Sequence, residues 1–297
     1  MLIGHRRGAN RDTVDLGQGA DELVIAAGTD HSGAVLTGGE GVDTMSFGMP
    51  SRALLSVDAS SGTATSGGRL FSAWSAFDEY VLATPGPQDF TGTAAPDDVT
   101  LSGDGLLTAT TGEGDDTISL DPFFGVASGL VDGGAGRDTI DYSTFFDVVG
   151  SMVSRTIVVN EATLSFASVE RIVAHTDTAV QLTGGDDDDD LQANGCDVTL
   201  RGGAGNDQLR VGRDVPSGVF TTSVTFGPRP CKLPTSHVYG EAGDDAMASY
   251  DFEVTRRGPI RERRIDDLLD GGDGIDVAKA GLGTDTCVAE TPIACEM

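Results

Sequence analysis

The sequence has few aromatic and few basic residues. Only 6% of its 297 residues are aromatic, and 19 lysines and arginines face 47 aspartates and glutamates, which gives a formal charge of −28. Because a basic surface is what holds the phosphate backbone, we expect no nucleic-acid partner. No apolar stretch is long enough to cross a bilayer, so we expect no membrane span.

Common catalytic motifs are also missing. The four histidines are dispersed, and the sequence contains no HExxH, GxSxG or Walker motif. Carboxylates are abundant enough to contain a catalytic pair, but nearly every aspartate has a simpler role in a turn. We therefore predict that the chain is not an enzyme.

Cysteine is scarce, with four residues in the whole chain. An even number fits an oxidising compartment, and we favour the pairs Cys287 with Cys295 and Cys196 with Cys231, because each would close a local excursion. Four free thiols, or a mixture, remain open. The first twelve residues lack the apolar segment of a signal peptide. A fragment of a longer exported protein, a cut start, or export without such a signal all stay open.

Glycine and aspartate are what the chain has in quantity. Asp12, Asp21 and Asp30 stand nine residues apart, each closing a small turn, and the same frame with aspartate at position six returns to the C-terminus. The clearest copies are GGEGVDTMS from Gly38, TGEGDDTIS from Thr111, GGAGRDTID from Gly133, GGDDDDDLQ from Gly184, GGAGNDQLR from Gly202, GEAGDDAMA from Gly240 and GGDGIDVAK from Gly271.

Position eight of the frame is usually apolar, and one run of aliphatic residues falls nine apart without a break: Val173, Leu182, Leu191, Leu200 and Leu209. This period predicts a turn of about six residues followed by a short strand. Such strands become stable when the chain coils, so that frames eighteen residues apart stack in a parallel sheet. We predict an all-β fold, a parallel β-roll or β-helix solenoid, as one domain over residues 1–297.

Hairpin-like insertions are predicted at about 46–80, 143–170, 213–238 and 250–265. The first two resemble one another: Asp43 and Asp138 lie 95 residues apart, and Glu79 and Glu170 lie 91 apart. We interpret them as flaps of a duplicated module of about ninety residues. The basic segment from Arg256 to Arg264 is interpreted as a solvated insertion, with an anion-binding surface or a protease-sensitive linker as alternatives.

The glycine-aspartate turn offers the ligands that calcium prefers. Calcium takes about six to eight oxygen ligands and accepts main-chain carbonyls as readily as carboxylates. Glycines at positions one, two and four permit positive φ angles and close backbone approach, and the aspartate supplies charge. The predicted metal ligands, for several calcium ions, are Asp12, Asp21, Asp30, Gly38, Gly41, Asp43, Gly114, Asp116, Gly133, Gly136, Asp138, Gly184, Asp187, Asp189, Gly202, Gly205, Asp207, Gly243, Asp245, Gly271, Gly274, Asp276 and Asp285.

Spacing predicts which aspartates share an ion. Residues eighteen apart should return to the same edge of the coil, as Asp189 and Asp207 do and as Asp12 and Asp30 do. Asp276 and Asp285, nine apart, should lie on opposite edges. The simpler alternative is that glycine and aspartate merely make good turns, but ten copies in phase favour calcium. Residues 186–190 are no EF-hand, because Leu191 takes the place of its glycine.

The strings GGAGNDQL, GGAGRDTI, GGEGVDTM and GGDGIDVA resemble the nonapeptide GGxGxDxUx of the RTX, or haemolysin-type, calcium-binding repeats. The resemblance implies calcium in each turn and a parallel β-roll. The cysteine-bearing end resembles that of bacterial repeat proteins exported by a general secretion route. It implies an extracellular location and departs from the cysteine-free tail usual in type I secreted toxins.

Three functions remain open from the sequence. The first, which we favour, is a calcium-dependent structural or spacer module of an exported protein. The second is the calcium-binding part of a secreted protease or polysaccharide-modifying enzyme. The third is an adhesive module for a carbohydrate or protein at a cell surface, and the sequence does not identify any such extracellular partner.

Overall fold

The computed structural model describes residues 2–3, 11–26, 30–48, 52–103, 105–121, 127–176, 178–212, 235–250, 252–253, 261–262, 266–281 and 283–295. These residues form strands and turns, and none of them belongs to a helix that could span a membrane. The predicted all-β fold, with long parallel sheets, is confirmed. The chain forms two compact units, Met1–Ser143 with Glu161–Val169, and Thr144–Asn160 with Glu170–Met297.

The first unit contains two large sheets, called here the first and second sheet. Its first sheet has, in order, the parallel strands β1 (Leu2–Ile3), β3 (Glu22–Ala26), β5 (Thr44–Gly48), β9 (Glu79–Ala83), β11 (Asp98–Ser102), β13 (Thr117–Leu120) and β15 (Thr139–Ser143). Its second sheet has β18 (Ala162–Ala167), β14 (Ser128–Ala135), β12 (Leu106–Glu113), β10 (Gln88–Thr91), β6 (Leu55–Asp58), β7 (Thr63–Ser66) and β8 (Arg69–Ala73). A separate parallel pair joins β2 (Thr13–Gln18) and β4 (Val35–Glu40).

The second unit repeats the arrangement. Its first sheet has β19 (Arg171–His175), β21 (Asp190–Asn194), β23 (Gln208–Val211), β25 (Ala246–Ser249), β29 (Val277–Lys279) and β31 (Thr291–Ile293). Its second sheet has β30 (Thr286–Val288), β28 (Asp266–Asp273), β24 (Thr235–Ala242), β22 (Asp197–Ala204), β20 (Ala179–Thr183), β16 (Val148–Ser151) and β17 (Thr156–Val159). A small antiparallel pair joins β26 (Phe252–Glu253) and β27 (Arg261–Glu262).

Apolar and polar residues alternate along the strands, so each sheet has one buried face. In the first unit the Tyr80 ring of the first sheet lies 5.4 Å, between centroids, from the Phe90 ring of the second. Phe71, Trp74 and Phe77 are buried with them. The core of this unit therefore lies between its sheets.

Strands of the second sheet are longer than predicted. β12, β14, β22, β24 and β28 each have eight residues. They exceed the short strand expected from the nine-residue frame because ladder pairing continues through positions one to three of the turn, as between Gly112 and Gly134. The glycine-rich segment is thus partly strand.

Stacking does not require a spacing of eighteen residues. That spacing occurs between β21 and β23, where Leu191 pairs with Leu209. Elsewhere one coil takes 19 residues, as between Val99 and Ile118, or 22, as between Ile118 and Ile140. The strict eighteen-residue rule is wrong, because turns and insertions change the length of a coil while the strands stay in register.

The two predicted flaps contain antiparallel hairpins. β6 and β7 are antiparallel, and so are β16 and β17. In both flaps two four-residue strands flank a four-residue connection, and the third strand, β8 or β18, follows two residues later. This equal layout supports the duplication. The third predicted insertion lies mostly outside the described residues. Of the fourth, the β26–β27 pair is described.

One predicted disulfide is confirmed. Cys287 and Cys295 are bonded, with 5.9 Å between their Cα atoms. Cys196 is also disulfide-bonded, but its predicted partner, Cys231, lies outside the described residues. The Cys287–Cys295 bond ties β30 to the residues that follow β31.

Candidate calcium-binding turns

The glycine-aspartate turns line one edge of each unit. We call it the turn edge: the edge where the chain enters a strand of the first sheet. In each of these turns the position-six aspartate immediately precedes the strand of the first sheet, and its side chain is mostly buried. The aspartates at the turn edge are Asp21, Asp43, Asp97, Asp116 and Asp138 in the first unit and Asp189, Asp207, Asp245 and Asp276 in the second.

Hydrogen bonds join these aspartates into a ladder. The backbone N–H of Asp189 donates to Asp207 Oδ1 at 2.8 Å, and that of Asp207 donates to Asp245 Oδ1 at 2.8 Å. Asp245 N–H donates to Asp276 Oδ1 at 2.9 Å. In the first unit, the same bond joins Asp21 to Asp43, Asp97 to Asp116, and Asp116 to Asp138. Each of these carboxylates is therefore oriented by a backbone N–H of the preceding coil.

Glycine at position one provides space rather than an unusual backbone angle. A Cβ on Gly184 would lie 2.6 Å from Asp189 Oδ2 and would collide with the Gly202 carbonyl oxygen of the next coil. A Cβ on Gly202 would collide with Asp207 Oδ2 and lie 2.6 Å from the Gly240 carbonyl oxygen. The positive φ expected at all three glycine positions is confirmed at positions two and four, as at Gly203 and Gly205.

The second oxygen of several ladder aspartates is buried without a protein partner. Among the described residues, no hydrogen-bond donor reaches this Oδ2 atom in Asp43, Asp116, Asp207, Asp245 and Asp276. A buried carboxylate oxygen left in this state costs free energy, because it has lost water and gained nothing in return. A bound cation would remove that cost.

The oxygens around position one fit calcium. Asp207 Oδ2 and the Gly240 carbonyl oxygen both lie within 2.6 Å of one point, the place of a Gly202 Cβ. They are thus close enough to share one coordination sphere, whose oxygens are at most about 5 Å apart. The described residues bring no three His, Cys, Asp or Glu side chains together as a metal site. An ion here would depend on main-chain oxygens, as calcium permits.

Burial shifts the titration of these carboxylates. Desolvation raises the pKa of Asp207 to about 6, the hydrogen bond from Asp189 opposes this, and the charge of Asp245 adds to it. Desolvation likewise raises the pKa of Asp189 and of Asp245. The ladder therefore holds negative charge at a free-energy cost, which a bound cation would offset.

Asp12 and Asp30 do not form the predicted pair. Thr13 pairs with Val35, so Asp12 lies beside residue 34 of the next strand. The Asp30 carboxylate bonds instead to Ser32 and to Arg69, at 2.9 Å from the guanidinium. The spacing of eighteen fails here because this coil takes 22 residues.

The other predicted residues lie at the expected places. Asp189 and Asp207 are neighbours on one edge, as predicted. Asp276 precedes β29 of the first sheet and Asp285 precedes β30 of the second, so they lie on opposite edges, also as predicted. Asp187 is exposed, and its carbonyl oxygen lies 2.6 Å from the place of a Gly205 Cβ, so its main chain faces the next coil. Calcium ligation by any of these residues stays a prediction.

Sequence reasoning missed three ladder members. Asp78 Oδ2 accepts the N–H of Asp43 at 3.0 Å, and Glu290 Oε2 accepts that of Asp276 at 2.9 Å. Asp97 occupies position six of a turn that has Thr93 and Ala95 at positions two and four, where the repeat has glycine. For Asp97, the apolar Val99 two residues later was an available signal.

Comparison with known proteins agrees with this geometry. Residues 130–149, 183–215 and 265–290 match the RTX calcium-binding nonapeptide repeat, in four copies. The matched stretches contain the turns that end at Asp138, Asp189, Asp207 and Asp276. No curated protein matches the chain.

Proposed function

The chain carries RTX calcium-binding nonapeptide repeats, and from this premise we propose that it is a structural module of an exported protein whose folding is coupled to calcium. The buried, unpartnered Oδ2 atoms of the ladder carry this proposal. A protein that folded fully without metal would have no reason to bury a charged carboxylate oxygen beside a neighbouring carbonyl oxygen and leave the carboxylate oxygen without a donor.

The chain's own residues oppose folding when no cation is present. Asp207 lies between Asp189 and Asp245, and both neighbours raise its pKa by their charge. Glycine, at 42 residues, adds a large entropy cost on ordering. Bound calcium supplies the positive charge that the stacked carboxylates and carbonyls lack. Since calcium binds the folded coil preferentially, it stabilises that coil by mass action.

A structural role follows from how the side chains are used. The position-six carboxylates accept hydrogen bonds that join one coil to the next. The bond between Asp207 and Asp245, which are 38 residues apart, has the same length as the bond between Asp189 and Asp207. We propose that this ladder keeps a rigid coil in place and that the chain has no catalytic task of its own.

Circular dichroism and thermal melting test the coupling. The calcium-free protein should show a much weaker strand signal and a lower melting temperature than the calcium-saturated protein. Magnesium at equal ionic strength is the control, because it screens charge but requires stricter octahedral geometry. A strand signal and melting temperature that do not change after exhaustive chelation would overturn the proposal.

The calcium concentration at half-folding tests the proposed export. Extracellular calcium modules bind at about 10⁻⁴–10⁻³ M, a range that keeps them unfolded inside the cell. The Cys287–Cys295 disulfide also suits an oxidising compartment. We expect a midpoint in that range. A submicromolar midpoint would contradict folding that waits for export.

A further inference from the structure

The outer faces of the two first sheets carry opposite charge. We call the outward side chains of the first sheet the acidic face in the first unit and the basic face in the second. The strands of the acidic face contain four carboxylates and no lysine or arginine: Glu22, Glu79, Asp98 and Asp141. The strands of the basic face contain three basic residues and one carboxylate: Arg171, Arg210, Lys279 and Asp190. The first set therefore sums to −4, and the second, three minus one, sums to +2.

Like charges lie side by side on the acidic face. Glu79 and Asp98 are register partners in neighbouring strands. The Thr44 hydroxyl donates to Glu79 Oε2 at 2.7 Å and so fixes that carboxylate. Desolvation raises the pKa of Asp98 to about 6, and the charges of Glu79 and Asp141 raise it further. Adjacent like charges repel, so a positive side chain brought to this face would be bound favourably.

The basic face keeps positive charge after its own ion pairs are formed. The Asp190 carboxylate contacts the guanidinium of Arg210, and it lies 3.7 Å from Arg171 Nε. Two guanidiniums thus share one carboxylate. Lys279 is exposed, and its Nζ lies 5.6 Å from the centre of the Tyr250 ring.

A small residue separates two of these cations. Arg210 pairs with Ala248, and Ala248 pairs with Lys279 in the next strand. The two basic residues are therefore two strands apart, about 10 Å between Cα atoms. Because the alanine between them is short, a carboxylate side chain from another molecule has room to approach both cations.

A second copy of this chain fits the basic face in both charge and spacing. It brings an acidic face built on the same kind of sheet, with strands about 4.8 Å apart, so charges on the two faces recur at matching intervals. The formal charge of −28 makes two copies repel at long range. Salt screens that repulsion beyond about 8 Å at physiological ionic strength, whereas charges in contact are screened much less.

We propose that the basic face of one copy binds the acidic face of a second copy. The six strands of the basic face cover roughly 400 Å², about half of one partner's share in a standard interface. We therefore expect weak, concentration-dependent association. Each copy has both faces, so the contact is heterologous and each copy can make it twice. The proposal adds self-association to the structural role, and it uses none of the predicted calcium ligands.

Sedimentation velocity of the calcium-saturated protein, from micromolar to millimolar concentration, tests the basic face. Lys279→Glu lowers the charge of its strands from +2 to zero and should weaken association by about tenfold or more. Arg201→Glu is the matched control, because Arg201 is also exposed and lies 4.4 Å from the centre of a tyrosine ring, but on the second sheet. The proposal is wrong if both variants associate equally, or if the unchanged chain stays monomeric.

Mixing two variants tests the pairing of the faces. Asp98→Lys alters the acidic face and should also stop association, whereas the control Asp132→Lys, on β14 of the second sheet, should not. Lys279→Glu keeps its acidic face and Asp98→Lys keeps its basic face, so an equimolar mixture should form one-to-one pairs. A mixture that stays monomeric overturns the proposal, and so does association that strengthens as sodium chloride is added. Calcium binding should be unchanged in these variants, so failure here leaves the calcium-coupled folding untouched.

Discussion

Two turns on the turn edge both end in an aspartate, but the hydrogen bonding of the aspartate Oδ2 atom differs between them. In the turn that ends at Asp97, Asp97 Oδ2 accepts the N–H of Thr93 at 2.6 Å and its hydroxyl at 3.1 Å. In the turn that ends at Asp207, Oδ1 accepts an N–H from the preceding coil, and Oδ2 is buried without a partner among the described residues. The first turn satisfies its carboxylate internally, and the second leaves an oxygen for a cation.

The residue at position four also differs between these turns. The Asp97 turn has Ala95 there, and the Asp189 turn has Asp187; Asp189 Oδ2 is likewise satisfied, by the N–H of Gly185 at 2.5 Å. The turns with unpartnered Oδ2 atoms carry glycine at this position: Gly41, Gly114, Gly205, Gly243 and Gly274. Each of these five turns thus has glycine at position four, whereas the Asp97 and Asp189 turns do not.

The largest expected effect comes from filling the space at position one. Gly202→Ala should lower the free energy of unfolding by about 3 kcal/mol, because its Cβ collides with Asp207 Oδ2 and the fixed Gly240 carbonyl. Gly185→Ala is the matched control, since its Cβ would meet Asp189 Oδ2 at an ordinary 3.7 Å. Calcium-saturated chemical denaturation measures both. If both variants lower the free energy of unfolding equally, the collision with Asp207 Oδ2 and the Gly240 carbonyl is not the cause of the loss.

Removing one charge from each turn separates them next. Asp207→Asn keeps an oxygen for the Asp189 N–H but removes the negative charge. Because that charge stabilises the fold only when a cation is bound, the variant should reduce the calcium dependence of the melting temperature. Asp97→Asn weakens hydrogen bonds from Thr93 and should cost about 1–3 kcal/mol with or without calcium. Melting curves at high and zero calcium measure both. The comparison fails if the two variants respond to calcium alike.

The fold was predictable from the sequence to a greater degree than the pairing within it. Position-eight residues such as Leu191 and Leu209 showed the strands, and the glycines of GGAGND showed the turns. The partner of Asp12 was not predictable, because register depends on which residues a coil loops out, and the hydrophobic period carries no such information. Asp97 was missed because its turn has threonine and alanine at positions two and four, where the repeat has glycine.

Acid should partly replace calcium in the ladder. The pKa of Asp207 in the folded chain is raised to about 6, above its unfolded value of about 4. A raised carboxyl pKa means that the folded state holds the proton more tightly, so its stabilisation is present below about pH 4 and is lost as pH rises through about 6. Calcium-free protein should be more stable at pH 5 than at pH 7, by about 1 kcal/mol for this group.

Denaturation across that pH window, with calcium removed by exhaustive dialysis, measures the effect. Asp207→Asn is the control, since it cannot take up the proton, and its stability should change less between pH 5 and pH 7. A calcium-free protein that becomes more stable as pH rises from 5 to 7 would show that the ladder carboxylates carry no desolvation cost.

The smallest expected effect lies inside the ladder, at position two of the turn that ends at Asp245. Glu241 occupies this position with φ of 78°, where the equivalent Gly203 has φ of 108°. A side chain in this region is strained, and its ion pair with Arg201 is exposed and contributes little. Glu241→Gly should therefore raise the free energy of unfolding by on the order of 0.5 kcal/mol, after the entropy cost of glycine.

Glu241→Gln separates strain from charge at the same position. It keeps the strained backbone and removes the ion pair, so it should be neutral or slightly destabilising in the same denaturation measurement. If Glu241→Gly is no more stable than Glu241→Gln, the backbone at position two tolerates a side chain without cost. Glycine at position two would then be required only where two coils approach closely. Gly272 is such a place, because a Cβ there would collide with the Glu241 carbonyl oxygen of the preceding coil.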